Sequence, residues 1–322
     1  MKPLVSICIP TYNRAEYLKE TIESIIMQPE FQSGEVEIVV SDNASTDATN
    51  DVCRQYSHYD NFVYHKNPGN IRDENFPMVL SKAHGKLRKL NNDTFVLAKG
   101  ALKKLCDLAK TYEEKRPFVF LHNEGKTTKE LDFHDFVADV GYWVTWLVGF
   151  TIWEDECSRI ESDTEGCALS LWQVRKAYEL AYKKDAVVVY GQRLGGTITP
   201  PKKDVSYGLY KVFYCNYLEL LHPYVEKQTL AEDDVERIEK ELLLGFFLPR
   251  IIEQEQIGRN AQYSEKENLK TAVWEQYKNK PYWGEFEQAY KGRFSKARVK
   301  VFLKRVLGNA FINRCKILLL HR

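Results

Sequence analysis

The sequence predicts an α/β protein, a doubly wound and mostly parallel sheet with a C-terminal helical extension. Three observations lead there. Over roughly the first 200 residues, short apolar β-branched runs alternate with segments of helical period, as strands joined by crossover helices do. Polar residues collect where those runs stop, the place at which such sheets bind ligands. From about residue 205 onward the helical period stands alone.

Taken in order, residues 3–9 are apolar and β-branched up to Pro10 and read as a buried strand. Leu18, Ile22, Ile25 and Ile26 then recur at helical spacing between Arg14 and Met27. Val36 to Val40 is a second strand, closed by the polar turn Ser41 to Asp47; a helix over about 47–57 and a strand from Phe62 to His65 follow. Lys86, Arg88 and Lys89 mark a strand that ends in Leu90-Asn91-Asn92-Asp93-Thr94, and alternation sends Arg88 and Lys89 to opposite faces. A helix over about 99–113 leads into the strand Pro117 to Leu121. Residues 129–153, rich in aromatic and β-branched side chains, read as further strands, before a helix over 169–184 and a strand from Ala186 to Tyr190. Thr229-x-x-Glu232 looks like a capping box opening a helix that runs towards Pro249.

The 322 residues suffice for one large domain and a smaller appended one. Hydrophobic content of 44% and charged content of 28% are those of an ordinary globular protein, and a net charge of +1 argues against a nucleic-acid partner. The seven cysteines are odd in number and form no Cys-x-x-Cys pair, which excludes a disulfide framework or zinc ribbon and points to a reducing cytoplasm. A signal peptide and an apolar membrane span are both missing from the pattern. Charge is uneven, however. Residues 291–322 hold ten Lys or Arg and no acid, and Val299, Phe302, Leu303, Val306, Leu307, Ala310 and Phe311 form one apolar stripe. That build suits a basic amphipathic helix lying on an anionic membrane surface, or a terminal helix packed on the body with its basic face in water.

Thr11, Asn13, Asp42 and Asn43 fall at strand ends. A carboxylate such as Asp42 can accept hydrogen bonds from base N–H or ribose hydroxyl groups, and it equally suits a turn or helix cap. Val5 to Arg14, Val39 to Asp47 and Asn67-x-Gly69 to Asn75 together resemble the family 2 glycosyltransferases, inverting enzymes of GT-A fold, here of the bacterial surface-polysaccharide type. The resemblance covers residues 3–115 well and 140–190 loosely. It implies a GT-A domain over 1–205 (a nucleotide-sugar half to 115, an acceptor half from 116), a helical extension over 206–290 and the basic helix over 291–322.

Residue by residue, the resemblance sets Pro10, Thr11, Tyr12 and Asn13 against the nucleotide base and gives Asp42, with Asn43, the uracil or ribose. Asn70, Arg72, Asn75 and Asn92 fall to the nucleotide and its diphosphate, Arg being suited by its planar fork. Asp93 and Asn91 would hold Mg²⁺ or Mn²⁺. The family's Asp-x-Asp is altered here, since position 91 is Asn. One carboxylate plus substrate phosphates and water still makes a Mg²⁺ site. Where the family's catalytic acid would stand, the chain has Val174 or Arg175. The general base then falls to Asp155, with Glu154 the alternative and Glu156, Asp163 and Glu165 also within sequence reach. Trp143, Trp146, Phe150, Trp153 and Trp172 suit either an acceptor surface or a core.

The expected function is transfer of a sugar from a nucleotide-sugar donor, UDP-linked, to a glycan or lipid-linked glycan acceptor on the cytoplasmic face of the cell membrane. The alternative is a catalytically degenerate binding or scaffold subunit of a polysaccharide synthase. A nucleotidyltransferase would want a glycine-rich loop after the first strand, which Pro10 to Arg14 is not.

Overall fold

The structure is a computed structural model that describes residues 2–125, 127–198, 203–204, 208–257, 263–264 and 268–293. The apolar stripe from Val299 lies outside them. The chain forms two compact units, residues 1–200 with 215–235 and residues 201–214 with 236–322.

In the first unit the elements are β1 (Val5–Thr11), α1 (Ala15–Ile26), α2 (Pro29–Gln32), β2 (Val36–Asp42), α3 (Thr49–Arg54) and β3 (Phe62–Lys66). Next come α4 (Asn75–Ser81), β4 (Leu87–Leu90), β5 (Phe95–Leu97), α5 (Ala101–Tyr112), β6 (Phe118–Leu121), β7 (Lys129–Leu131) and α6 (Phe133–Val140). β8 (Thr151–Trp153), α7 (Trp172–Lys183), β9 (Val187–Tyr190), β10 (Gly195–Thr197) and α8 (Tyr217–Glu226) complete it. One sheet has the order β3-β2-β1-β4-β8, with β8 alone antiparallel, and a second has the order β6-β9-β7. β6 and β9 are parallel and β7 is antiparallel to β9. The mixed, parallel-dominated α/β fold expected from the sequence is present.

Phe150 joins the two sheets. Its carbonyl accepts Leu90 N at 3.1 Å, and its residue bridges Phe120 of β6. The carboxyl ends of β1, β2, β4 and β6 therefore share one edge.

β1 and β2 are buried almost throughout because helices cover both faces of the parallel strands. Leu18, Ile22 and Ile25 of α1 and Leu102, Leu105 and Ala109 of α5 are fully buried in that core. Each of these leucines and isoleucines contributes about 1.5–3 kcal/mol of transfer free energy.

Residues 129–153 correct the sequence reading. Strand occupies their two ends, and helix α6 lies between. Asp132 caps α6 by accepting Asp135 N at 2.8 Å, and Phe133, Phe136, Val137 and Val140 follow at i, i+3, i+4 and i+7, all buried. Aromatic and β-branched composition hid that period.

α9 (Glu232–Glu241) opens two residues later than the expected box. Its reciprocal cap is Ala231 with Asp234, whose carboxylate accepts Ala231 N at 2.9 Å. The second unit continues with α10 (Leu248–Ile257) and α11 (Leu269–Tyr277), and β11 (Lys203–Asp204) pairs in parallel with β12 (Tyr263–Ser264). A π-helical turn, Leu242–Phe247, precedes α10. Leu242, Phe247, Val273, Tyr277 and Phe286 are fully buried there.

Candidate functional site

β1 ends at Thr11, whose hydroxyl donates to the Asp93 carboxylate at 3.0 Å. Arg14, the residue before α1, sets Nη1 3.5 Å from the other Asp93 oxygen, and Thr21 of α1 donates to the Asp93 carbonyl at 2.8 Å. Asp93 is thus fixed by β1 and α1 although it follows β4. The loop between β1 and α1 is stitched to the turn after β2. Asn13 Oδ1 accepts Thr46 N at 2.8 Å, and Asn13 N donates to the Ser45 hydroxyl at 2.8 Å. Asp47 accepts Ala15 N and Thr49 N, each at 3.0 Å. Burial works against its ionisation, but the Thr49 hydroxyl and these amides hold its carboxyl below the usual range. Asn13, Ala44 and Arg72 all sit at left-handed φ values of 52°, 61° and 52°, strain that the surrounding bonds sustain.

Asp42 is fully buried. Its oxygens accept Ser45 N and the Tyr64 hydroxyl, each at 2.8 Å, and Lys66 lies 3.9 Å away. It frames the turn, which differs from the expectation of a carboxylate open to a ribose.

Behind it lies a knot of amides. Asn75 Oδ1 accepts the Ser41 hydroxyl at 2.6 Å and Asn67 Nδ2 at 2.9 Å, while its Nδ2 donates to Ser41 O at 3.0 Å. Asn43 donates to Asn70 Oδ1 at 2.9 Å and accepts Ile71 N at 2.8 Å. Expected to contact nucleotide, Asn43 and Asn75 are instead buried and tie the 67–75 loop to β2. Pro10, exposed Tyr12, Asn70 and Arg72, and partly exposed Arg14 and Asn92 remain on the open side of the same edge.

Asn91 is a further correction. Its side chain is fully buried, Oδ1 accepts Lys89 Nζ at 2.8 Å, and Nδ2 donates to Asn92 O and Phe95 O. An ammonium group therefore holds the oxygen that a metal would need. Burial pushes Lys89 down to about 7. A hard divalent ion takes carboxylate oxygens, and Asp93 presents one carboxylate at the edge, with Thr11 on one oxygen and Arg14 beside the other. Alternation set Arg88 and Lys89 on opposite faces, but nothing in Leu-Arg-Lys-Leu says that Lys89 is the cation that turns inward or that it bonds Asn91. Arg88 donates to Leu80 O at 2.7 Å, so it too serves the frame. Among the described residues Asp132, His134 and Asp135 come close enough together to hold a metal. All three are exposed at the start of α6, and β7, just before it, pairs with the amino end of β9, away from Asp93.

Glu154 and Asp155 are not brought to this edge. β8 runs antiparallel to β4, so Glu154 N bonds Lys86 O at the amino end of β4. The length of β4 separates them from Asp93, on the order of 15 Å at strand rise. Both are paired with Arg116, and Lys2 also binds Glu154. A base must reach its proton within hydrogen-bond distance, which this register forbids. Asp163 does lie on the loop before α7, but Arg175 and Lys176 both pair with it, so its carboxylate oxygens are already engaged.

Residues 6–116 match the family model for glycosyl transferase family 2. That match spans about a third of the chain. It is 37% identical over 131 residues to the abequosyltransferase RfbV of Salmonella typhimurium, which is 40% of this chain and 38% of that protein. It is 35% identical over 63 residues to the putative teichuronic acid biosynthesis glycosyltransferase TuaG of Bacillus subtilis, 20% of this chain and 24% of that protein. The chain thus matches well under half the length of these relatives. Among solved structures, S. aureus TarS 1–349 in complex with UDP-GlcNAc superposes with a TM-score of 0.55 at 17% identity, over 91% of this chain and 83% of that one. That likeness shows the fold alone, a GT-A fold.

Proposed function

We propose that the chain transfers a sugar from a nucleotide-sugar donor to a hydroxyl of a growing surface glycan, with inversion. One observation carries this reading: Thr11, Arg14 and Thr21 of the β1–α1 stretch converge on Asp93 at the carboxyl edge of the sheet, and the turns after β2 and β3 are tied to that stretch through Asn13 and Asn43. The open side chains Tyr12, Asn70, Arg72 and Asn92 would line the nucleotide, while Asp42 and the amide knot hold their loops in place. Arg14 stands beside Asp93, where a diphosphate oxygen would take its guanidinium fork. Asp93 would hold a Mg²⁺ or Mn²⁺ ion, whose charge favours departure of the nucleoside diphosphate. A UDP-linked donor is the first to test, since a fold neighbour was solved with UDP-GlcNAc. Among the described residues no helix is long and apolar enough to cross a membrane, so the basic tail is the proposed means of holding the chain at the inner face.

Purified chain should release nucleoside diphosphate from at least one nucleotide sugar when Mn²⁺ is present. Asp93→Ala should lower that rate at least ~100-fold, the scale of losing a transition-state electrostatic contact. Metal-independent nucleotide binding with no turnover, unaffected by Asp93→Ala, would favour the non-catalytic reading. Asn91, locked to Lys89, and the distant Glu154 and Asp155 are the observations behind that second reading.

A further inference from the structure

A cleft of about 970 Å³ lies between the first turns of α7, the 163–169 loop and α8. Its wall is a lattice of fixed charges. Arg175 pairs with Asp163, with Glu179 at 2.5 Å and with Glu165 at 3.6 Å. Lys176 lies 3.1 Å from Asp163 and 3.2 Å from Glu179. The Arg175 and Lys176 side chains are only 13% and 11% exposed, so the lattice is held rigid. Tyr224, under the Lys227 ammonium at 5.6 Å, gives the cleft an aromatic face.

We propose that this cleft is the acceptor subsite and takes a neutral, hydroxyl-rich oligosaccharide; the proposal rests on the glycosyl-transfer reading. Charge selects the ligand class. The lining holds four acids (Asp163, Glu165, Glu179, Glu219) against three Lys or Arg (Arg175, Lys176, Lys227), and the most buried cations are already paired. A phosphate or carboxylate ligand would meet no surplus positive charge. Vicinal hydroxyls, which both donate and accept, suit a wall of alternating carboxylates and cations, and sugar C–H faces suit Tyr224. A volume of this size admits several sugar rings.

Position selects the role. The Cys167–Leu169 turn on the loop beside the cleft lies against the Arg72–Glu74 turn of the donor edge. Burial, and then the charges of Asp73 and Glu74, push the Cys167 thiol up to about 12. The cleft, lined by Gly166 and Leu169 of that loop, therefore lies next to the Arg72–Glu74 turn. A glycan seated there would place its terminal sugar at the donor and its earlier sugars in the cleft. The Arg175 that stands where an acid was expected is thus a wall of the acceptor site.

Saturation-transfer NMR on the full chain, with neutral oligosaccharides of one to four hexose, 6-deoxyhexose or N-acetylhexosamine units, tests this. Affinity should rise with chain length for at least one series. Glu179→Gln, and His222→Ala at another residue of the cleft lining, should each weaken it roughly tenfold, while UDP binding stays unchanged and the far-ultraviolet spectrum remains that of the folded parent. If no oligosaccharide binds, if affinity ignores length, or if both variants bind as the parent does, the cleft assignment is overturned. Competition by inorganic phosphate would overturn it as well, in favour of an anion site. Because nucleotide-sugar turnover is measured separately, a failure confined to oligosaccharide binding leaves the transferase reading standing.

Discussion

Asp73 shows how the donor loop's packing acts on one side chain. It belongs to the Arg72–Glu74 turn, and burial raises its carboxyl from 3.8 to about 6, with Arg72 opposing. The folded chain thus prefers the neutral acid. Stability from this group is fully present below the unfolded value near 4 and is lost as pH rises through about 6. Asp73→Asn should therefore be the more stable protein at pH 7–8, by on the order of 1–2 kcal/mol once partial exposure is discounted, and should match the parent below about pH 4. Thermal unfolding from pH 4 to 8 reads this directly, and a pH-independent difference would refute it. At this scale the sequence was legible in kind. Thr11 and Asp93 meet at the carboxyl edge of the sheet, and Asp47 bonds the amides that open α1 and α3. The roles of Asn75 and Asn91 were not legible, because an amide that binds a ligand and one that knots two loops have the same letter. Only burial and partners separate them.

Gly85 governs how β4 enters the sheet. Its amide donates to the Ser6 hydroxyl at 2.8 Å and to Glu37 at 3.0 Å, so β1, β2 and the start of β4 meet at one buried carboxylate. A Cβ there would stand 2.7 Å from Ser6 N and 2.9 Å from the Val5 carbonyl carbon. Those are backbone atoms that cannot swing aside. Gly85→Ala should lower stability by about 1–3 kcal/mol, seen as a lower urea midpoint with an unchanged slope. Elements with a single clear period were legible: β1, β2, α1, α5 and α7 all form where their patterns predict. Over 129–153 two periods compete, and the Asp132 cap decides for helix because it satisfies an amide that a strand would have left to a neighbour. The Glu154 and Asp155 expectation failed at this scale too. Sequence distance from β4 was small, but the antiparallel direction of β8 carried them to the wrong edge.

Across the whole chain, the basic tail is the feature most dependent on surroundings. Residues 294–322 carry eight of the ten terminal Lys and Arg. Removing them should reduce binding to phosphatidylglycerol vesicles at least tenfold at low salt, since each cation near an anionic surface contributes about 1 kcal/mol. Raised ionic strength should weaken the intact chain in the same assay, and equal sedimentation of both proteins with vesicles would remove the membrane role. The parallel sheet was legible from alternation alone, whereas the joining of its two parts was not. That join rests on Phe150, bonded to Leu90 on one side and bridged to Phe120 on the other. Gly149 beside it lets the Phe120 ring approach, for a Cβ there would strike that ring. β4, which Asp93 follows, and β6, in the proposed acceptor half, are thus measured from one common datum. An alteration at Gly149 or Phe120 should misplace the proposed donor and acceptor sites relative to each other without touching either, and should register as a loss of turnover with both affinities intact.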